Sequence, residues 1–284
     1  PAPMTSRDSA EADAGPLAPL PEAREWAARH YLERFADDVQ PSWQGEPAHV
    51  ERLLTRAIQS GPPSADLFIL RALVRGRLGR YEEAVPDLSE AIRLNPESAE
   101  AFSERGVLHD ALGDTDAALA DLGRAIDLGS RGPEAHVRRG IALLRAGRAR
   151  DAASEFTSAL ALQEDLAPAL WGRGRALLMM DQPGLAADDL TRALDAAAGD
   201  AAVRNDRGEC LRRMGETDAA LADFAAAAEQ NPDLDAAVEN RCLLLAALGR
   251  GREAREELQK ALGRRPQNER LLALRRKLSP ADSG

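Results

Sequence analysis

Residues 99–132 read AEAFSERGVLHDALGDTDAALADLGRAIDLGSRG, and this pattern of 34 residues returns without a gap along most of the chain. Such a period is the first thing to test for, because it decides the architecture before any local motif does. In steps of 34 the units begin at Ala65, Ala99, Pro133, Ala167, Ala201 and Asp235. Their twentieth positions are Ala84, Ala118, Ala152, Ala186, Ala220 and Ala254, and their twenty-seventh are Ala91, Ala125, Ala159, Ala193, Ala227 and Ala261.

The eighth position is small in every unit: Ala72, Gly106, Gly140, Gly174, Gly208 and Cys242. The twenty-fourth is large and apolar: Leu88, Leu122, Phe156, Leu190, Phe224 and Leu258. Small holes and large knobs at fixed spacing let two helices approach closely. Between them the fifteenth position holds Gly79, Gly113, Gly147, Gly215 and Gly249, with Asp181 the exception. Glycine suits the left-handed residue that ends a helix, so each unit is predicted to be a helical hairpin.

These columns resemble the tetratricopeptide repeat (TPR), with a small residue at eight, alanine at 20 and 27, an aromatic or leucine at 24 and proline at 32. The resemblance covers Ala65 to Asn268, although proline at 32 survives only in Pro96, Pro232 and Pro266. It implies an all-α fold, a right-handed superhelical solenoid of TPR helix–turn–helix hairpins with a concave groove lined by the first helix of each unit. The expected units are 65–98, 99–132, 133–166, 167–200, 201–234 and 235–268.

A second pair of columns has its own logic. The seventh position is Arg71, Arg105, Arg139, Arg173, Arg207 and Arg241; the twenty-third is Asp87, Asp121, Glu155, Asp189, Asp223 and Glu257. An arginine ladder alone would suggest a site for an acidic polymer. With an acid ladder in the same register, the expectation is a helix-to-helix ion pair repeated along the array.

Solenoid ends need polar caps. Residues 269–278 alternate Leu271, Leu272, Leu274 and Leu278 with Arg270, Arg275, Arg276 and Lys277, which suits an amphipathic capping helix, and 279–284 reads as a tail. Upstream, 21–64 is expected to hold an N-terminal helix around Glu22 to Asp38 and a degenerate half repeat in which Leu54, Ala57 and Pro62 keep the register. Four of the chain's ten aromatic residues lie in Ala23 to Trp43, either capping the first hairpin or docking into a groove. Residues 1–20, rich in Pro, Ala and acids, read as a disordered linker.

Composition narrows the partners. A formal net charge of -10 argues against generic binding of nucleic acid or of an anionic membrane. No apolar run approaches the roughly 18 residues of a membrane span, so membrane insertion is not expected and a cytoplasmic home is the default. Only two residues are Lys, an Arg bias that suggests a GC-rich bacterial genome. The chain begins at Pro1 without an initiator, which leaves room for a removed segment or an upstream domain.

Chemistry is hard to find. His30, His49, His109 and His136 show no metal-ligand spacing with one another or with Cys210 and Cys242, which read as core thiols. No nucleophile elbow or kinase loop is present, and Gly172-Arg173-Gly174 belongs to the packing columns and forms no phosphate loop. No enzyme activity, cofactor or metal is expected.

Binding is a different matter. In TPR arrays first-helix positions two, five, six, nine, 12 and 13 face the groove. Here they give an acidic start with Asp66, Glu100, Glu104 and Asp110, then a centre made of Val137, Arg138, Ile141, Leu144 and Arg145 beside Trp171, Arg175, Leu178 and Met179. This apolar patch with a basic rim is the candidate partner site, since Trp and Arg dominate interface hot spots and Met adapts to irregular partners. The alternative is that Trp171 and its neighbours are ordinary packing. Asn205, Asp206, Glu209, Arg212, Arg213, Glu239 and Asn240 complete the face as rim or solvated residues.

Three functions follow. The chain is expected to be a scaffold or adaptor binding a protein or peptide ligand, in the form of a peptide or helix, in the groove. A regulatory or substrate-recruiting TPR region of a larger multidomain enzyme is the second. The third is a structural protein that self-associates through its N-terminal aromatic helix.

Overall fold

The computed structural model describes residues 47–130, 132–197 and 200–278. The expected linker over 1–20, the aromatic helix over 22–38 and the tail over 279–284 lie outside the described residues. Within them the fold is all-α, and two compact units are present, one ending at Glu164 and the other beginning at Asp165.

The first unit contains α1 (Pro47–Ser60), α2 (Ala65–Arg77), α3 (Tyr81–Leu94), α4 (Ala99–Leu112), α5 (Thr115–Asp127), α6 (Glu134–Arg145) and α7 (Ala149–Leu162). The second contains α8 (Ala167–Met179), α9 (Pro183–Ala196), α10 (Ala201–Arg213), α11 (Thr217–Gln230), α12 (Asp235–Ala247), α13 (Gly251–Arg264) and α14 (Glu269–Leu278). Within each unit every helix packs on the next, and α4 also meets α6, α8 meets α10, α10 meets α12 and α12 meets α14. In these four pairs first helices therefore lie side by side within a unit, α14 standing where the next first helix would.

Local chemistry fixes the helix ends. Ser98 caps α4 by accepting a bond from the Ala101 amide at 3.2 Å, Asp114 does the same for Ala117 at 3.2 Å, and Asp200 accepts from Ala202 at 2.7 Å. At the C-terminal side Gly113 turns left-handed at φ 83°, and its amide and that of Asp114 return to the Asp110 and His109 carbonyls. In the fourth hairpin Asp181 takes the same role at φ 57°, the one described non-glycine residue in that region.

The small and large columns meet inside each hairpin. A Cβ added to Gly106 would lie 2.7 Å from Leu122, one on Gly140 2.7 Å from the Phe156 ring, one on Gly174 2.9 Å from Leu190 and one on Gly208 2.7 Å from the Phe224 ring. Real Cβ contacts are longer, so glycine permits the helices to close. Both alanine columns are buried in these interfaces, apart from the partly buried Ala261 near the last helix. There α14 presses Leu271 and Leu274 onto the core formed by α12 and α13.

Candidate functional site

The arginine and acid columns stand 16 residues apart, one helix to the next within a hairpin, and their side chains join. Arg71 grips Asp87 with Nε at 2.9 Å and Nη2 at 2.6 Å; Arg105 grips Asp121 at 2.7 and 2.8 Å, Arg173 grips Asp189 at 2.7 and 2.7 Å, and Arg207 grips Asp223 at 2.7 and 2.8 Å. The two glutamates pair differently. Arg139 meets Glu155 through Nη1 at 3.4 Å, and Arg241 meets Glu257 through Nη1. In both cases the buried Nε lacks a hydrogen-bond partner, because the extra methylene takes the carboxylate past the two-pronged geometry that aspartate reaches.

The remaining guanidinium nitrogen works between hairpins. Arg71 Nη1 donates to Thr55 Oγ1 at 3.3 Å, Arg105 Nη1 to Ser89 Oγ at 3.1 Å and Arg207 Nη1 to Thr191 Oγ1 at 3.5 Å. Each hydroxyl occupies the twenty-fifth position of the preceding repeat, a column not noticed in the sequence. These arginines tie a hairpin to itself and to its predecessor, which leaves them committed to structure and not displayed to an anionic ligand.

The first-helix faces carry a second set of polar contacts, and their spacing is one repeat plus one residue. In the first unit Arg138 Nη1 donates to Ser103 Oγ at 2.6 Å and lies 3.3 Å from Glu104, while Arg145 pairs with Asp110. Burial holds the Asp110 carboxyl above the usual carboxylate range in spite of Arg145. Glu104 and Asp110 of the acidic start are thereby paired with the arginines expected to form a basic rim.

In the second unit the same spacing recurs for Trp171 with Asp206, Asn205 with Asn240 and Leu178 with Arg213, beside shorter-range contacts. Trp171 Nε1 donates to Asp206 Oδ2 at 2.9 Å, and Arg175 Nη1 donates to the same oxygen at 3.0 Å. Asn205 Nδ2 donates to Asp206 Oδ1 at 3.2 Å, and Asn240 Nδ2 donates to Asn205 Oδ1 at 3.0 Å. Glu209 accepts from Arg212 Nε at 2.8 Å and from Arg213 Nε at 2.8 Å, and Arg213 Nη1 reaches the Leu178 carbonyl at 3.1 Å. The Arg175 guanidinium sits over the Trp171 ring, 5.4 Å from its centroid.

These placements revise the sequence reading of the face. Asn205, Asp206 and Glu209 have 0% exposure, so they are no solvated rim; Asn205 and Asp206 are bonded to neighbouring first helices, and Glu209 to Arg212 and Arg213 of its own helix. Val137, Leu144 and Leu178 are also buried, Leu178 to 1%, which removes them from any open surface, and Ile141 is partly buried. Arg138 and Arg175 are buried as ion pairs. Moreover, 137–145 and 171–179 belong to different compact units. What α8 does present is a partly exposed Trp171 and, eight residues on along the same helical stripe, Met179 at 48% exposure. The signal missed in the sequence is the offset of 35, which pairs position five of one unit with six of the next and position 12 with 13.

Cys210 and Cys242 are both buried and free. Among the described residues no cluster of three or more His, Cys, Asp or Glu could hold a metal ion, and no helix is long and apolar enough to cross a membrane.

Comparison with known proteins agrees with this geometry. The family model described as tetratricopeptide repeat matches residues 69–136, 137–201, 172–235 and 205–269. Among solved structures, the chain is similar to one in the APC/C hetero-tetramer Cut9-Hcn1, with 14% identity and a TM-score of 0.68 over 89% of this chain and 52% of that one. The chain thus spans about half the length of that relative. It is similar to YrrB, described as a TPR protein with an unusual peptide-binding site, with 28% identity and a TM-score of 0.54 over 66% of this chain and 97% of that one. It is also similar to a tetratricopeptide repeat protein from Parabacteroides merdae, at 18% identity and a TM-score of 0.64 over 90% of this chain and 100% of that one. No match was found among curated protein sequences. With the family model spanning the hairpins whose alanine, glycine and knob columns build the interfaces described above, the chain belongs to the tetratricopeptide-repeat family.

Proposed function

We propose that this protein-interaction repeat scaffold captures an extended or helical segment of a protein partner on the first-helix face of α8, with Trp171 as the anchor. The observation that carries the reading is the state of that indole. It is partly exposed, yet its N–H is fixed by the buried Asp206 and its ring is covered on one side by Arg175. An aromatic side chain already held in one rotamer loses little freedom when a partner lands on it, which is the property of an interface hot spot.

The chemistry of the partner follows from what surrounds the ring. Arg175, Arg212 and Arg213 are already paired with Asp206, Glu209 and Asp181, three acids for three cations, so they add little net charge to the site. Selection therefore rests on apolar contact with Trp171 and the exposed, adaptable Met179. The similarity to YrrB, whose own site binds a peptide, supports a peptide as the form of the ligand.

Peptides selected on the wild-type protein from a phage-displayed random library provide the test. Trp171→Ala, with helical content unchanged by circular dichroism, is expected to weaken their binding about tenfold or more, and Met179→Ala by less. Equal affinity for wild type and Trp171→Ala would remove Trp171 from the site.

A further inference from the structure

Sulfur is unevenly placed in this protein. Of its four methionines Met4 lies outside the described residues, and Met179, Met180 and Met214 fall on two consecutive hairpin turns of the second unit. Met179 ends α8 and Met180 follows it, while Met214 follows α10 at the same fourteenth position as Met180, one repeat further on. Other units fill that position with Leu78, Leu112, Ala146 and Leu248, so a thioether enters the column only here. The two turns are joined, because Arg213 Nη1 donates to the Leu178 carbonyl at 3.1 Å and lies 3.7 Å from Asp181. Met179 is 48% exposed and Met214 45%, whereas Met180 is half-buried.

The thiols are the opposite case. Cys210 and Cys242 are buried, and that burial holds both protonated well above their ordinary range, whereas oxidants attack an accessible thiolate. Among the described residues the sulfur open to solvent is therefore thioether sulfur, and Met179 shares the helical stripe of Trp171. We propose that Met179 is a modification site: hydrogen peroxide converts it to the sulfoxide, and the sulfoxide releases the partner held on Trp171. This rests on the α8 face being the partner site. In the step itself a sulfur lone pair forms the new S–O bond as the O–O bond breaks, and the departing hydroxide takes the proton of the transferred oxygen and leaves as water. Sulfur is oxidised by two electrons and the peroxide reduced by two. A flexible apolar side chain thereby becomes a polar one, so an apolar partner residue landing on it strips water from the S–O group without returning a hydrogen bond.

The phage-selected peptides, chosen without Met or Cys so that peroxide touches only the protein, supply the readout. Their affinity for the full chain is measured by fluorescence anisotropy before and after hydrogen peroxide, with mass spectrometry giving the extent of oxidation at each methionine. Met179 and Met214 are expected to oxidise several-fold faster than Met180, with both cysteines unmodified, and affinity to fall about tenfold. Treatment with methionine sulfoxide reductases for both epimers and a dithiol should restore it. Met179→Leu keeps an apolar side chain of similar volume and leaves Met214 to oxidise, so it should bind alike before and after peroxide. Affinity that survives full oxidation of Met179, or that falls as far in Met179→Leu, would overturn the proposal. Trp171→Ala, measured in parallel, separates the inference from its premise. If that variant binds as tightly as wild type both readings fall, and if it loses binding while oxidised wild type does not, the oxidation site alone falls.

Discussion

Trp171 and Asp206 are 35 residues apart in sequence and 2.9 Å apart in space, and the same Asp206 oxygen also accepts from Arg175. A carboxylate with 0% exposure thus joins two neighbouring first helices and holds both an indole and a guanidinium. Removing the acid strands a buried cation, whereas removing the ion pair as a whole does not. Asp206→Ala is expected to cost about 3–5 kcal/mol, and Asp206→Leu with Arg175→Met distinctly less. Urea denaturation followed by circular dichroism measures both, and a double variant as unstable as the single one would refute the argument.

The Gly208 and Phe224 pair tests the knob-and-hole packing. Alanine at 208 would gain about 1 kcal/mol of helix propensity, but its Cβ would fall 2.7 Å from the Phe224 ring, and overpacking of this kind costs about 1–3 kcal/mol. The net expectation for Gly208→Ala is a loss of stability. Combining it with Phe224→Leu recreates the Ala72 and Leu88 pair of the first hairpin, so the two changes should couple favourably by about 1 kcal/mol or more in a double-mutant cycle.

The hairpins were readable in the sequence because their contacts recur at fixed positions within one unit. Gly140 against Phe156 and Arg105 against Asp121 are both 16 residues apart, so a column alignment lays the partners side by side. The first-helix face was harder to read. Whether Asn205 is solvated depends on Asp206 and on Asn240 in the next repeat, 35 residues away, and the polar character of a residue says nothing of that neighbour. Hydrophobic patterning therefore takes Asn205, Asp206 and Glu209 for surface, and takes Leu178 for groove although packing encloses it. Asp181 was the reverse case, a visible exception in the glycine column that marks a backbone held at positive φ.

Arg241 and Glu257 give a prediction of increased stability. The other partner of the arginine column is aspartate in four units, where it satisfies both Nε and Nη2; with Glu257 the buried Arg241 Nε has no hydrogen-bond partner. Glu257→Asp should let the carboxylate take both prongs and raise stability by about 1 kcal/mol, the scale of one orphaned donor satisfied. Glu257→Ala should lower it. A rise in the urea midpoint without a change in slope is the expected signature for the aspartate, and a fall would show that the longer side chain is the better partner.

The two thiols predict how stability changes with alkali. Burial, with Asp206 and then Glu209 adding to it, pushes the Cys210 thiol up; burial, reinforced by Glu257, pushes that of Cys242 up to about 12. In the unfolded chain both ionise near their ordinary value of about 8.5. Between that value and the raised one the native state holds protons that the unfolded chain has released, so stability falls as pH rises through the window. The slope reaches at most about 1.4 kcal/mol per pH unit for each thiol. Alanine occupies the positions equivalent to Cys242 at Ala72 and to Cys210 at Ala142 and Ala176, so Cys210→Ala/Cys242→Ala fits the fold while removing both titrations. Urea denaturation at pH 8 to 11 should show wild type losing stability more steeply than this variant. Iodoacetamide at pH 8 should label neither cysteine in the folded protein and both in urea. Parallel stability curves, or rapid labelling of the native chain, would show that the thiols are not held protonated by the core.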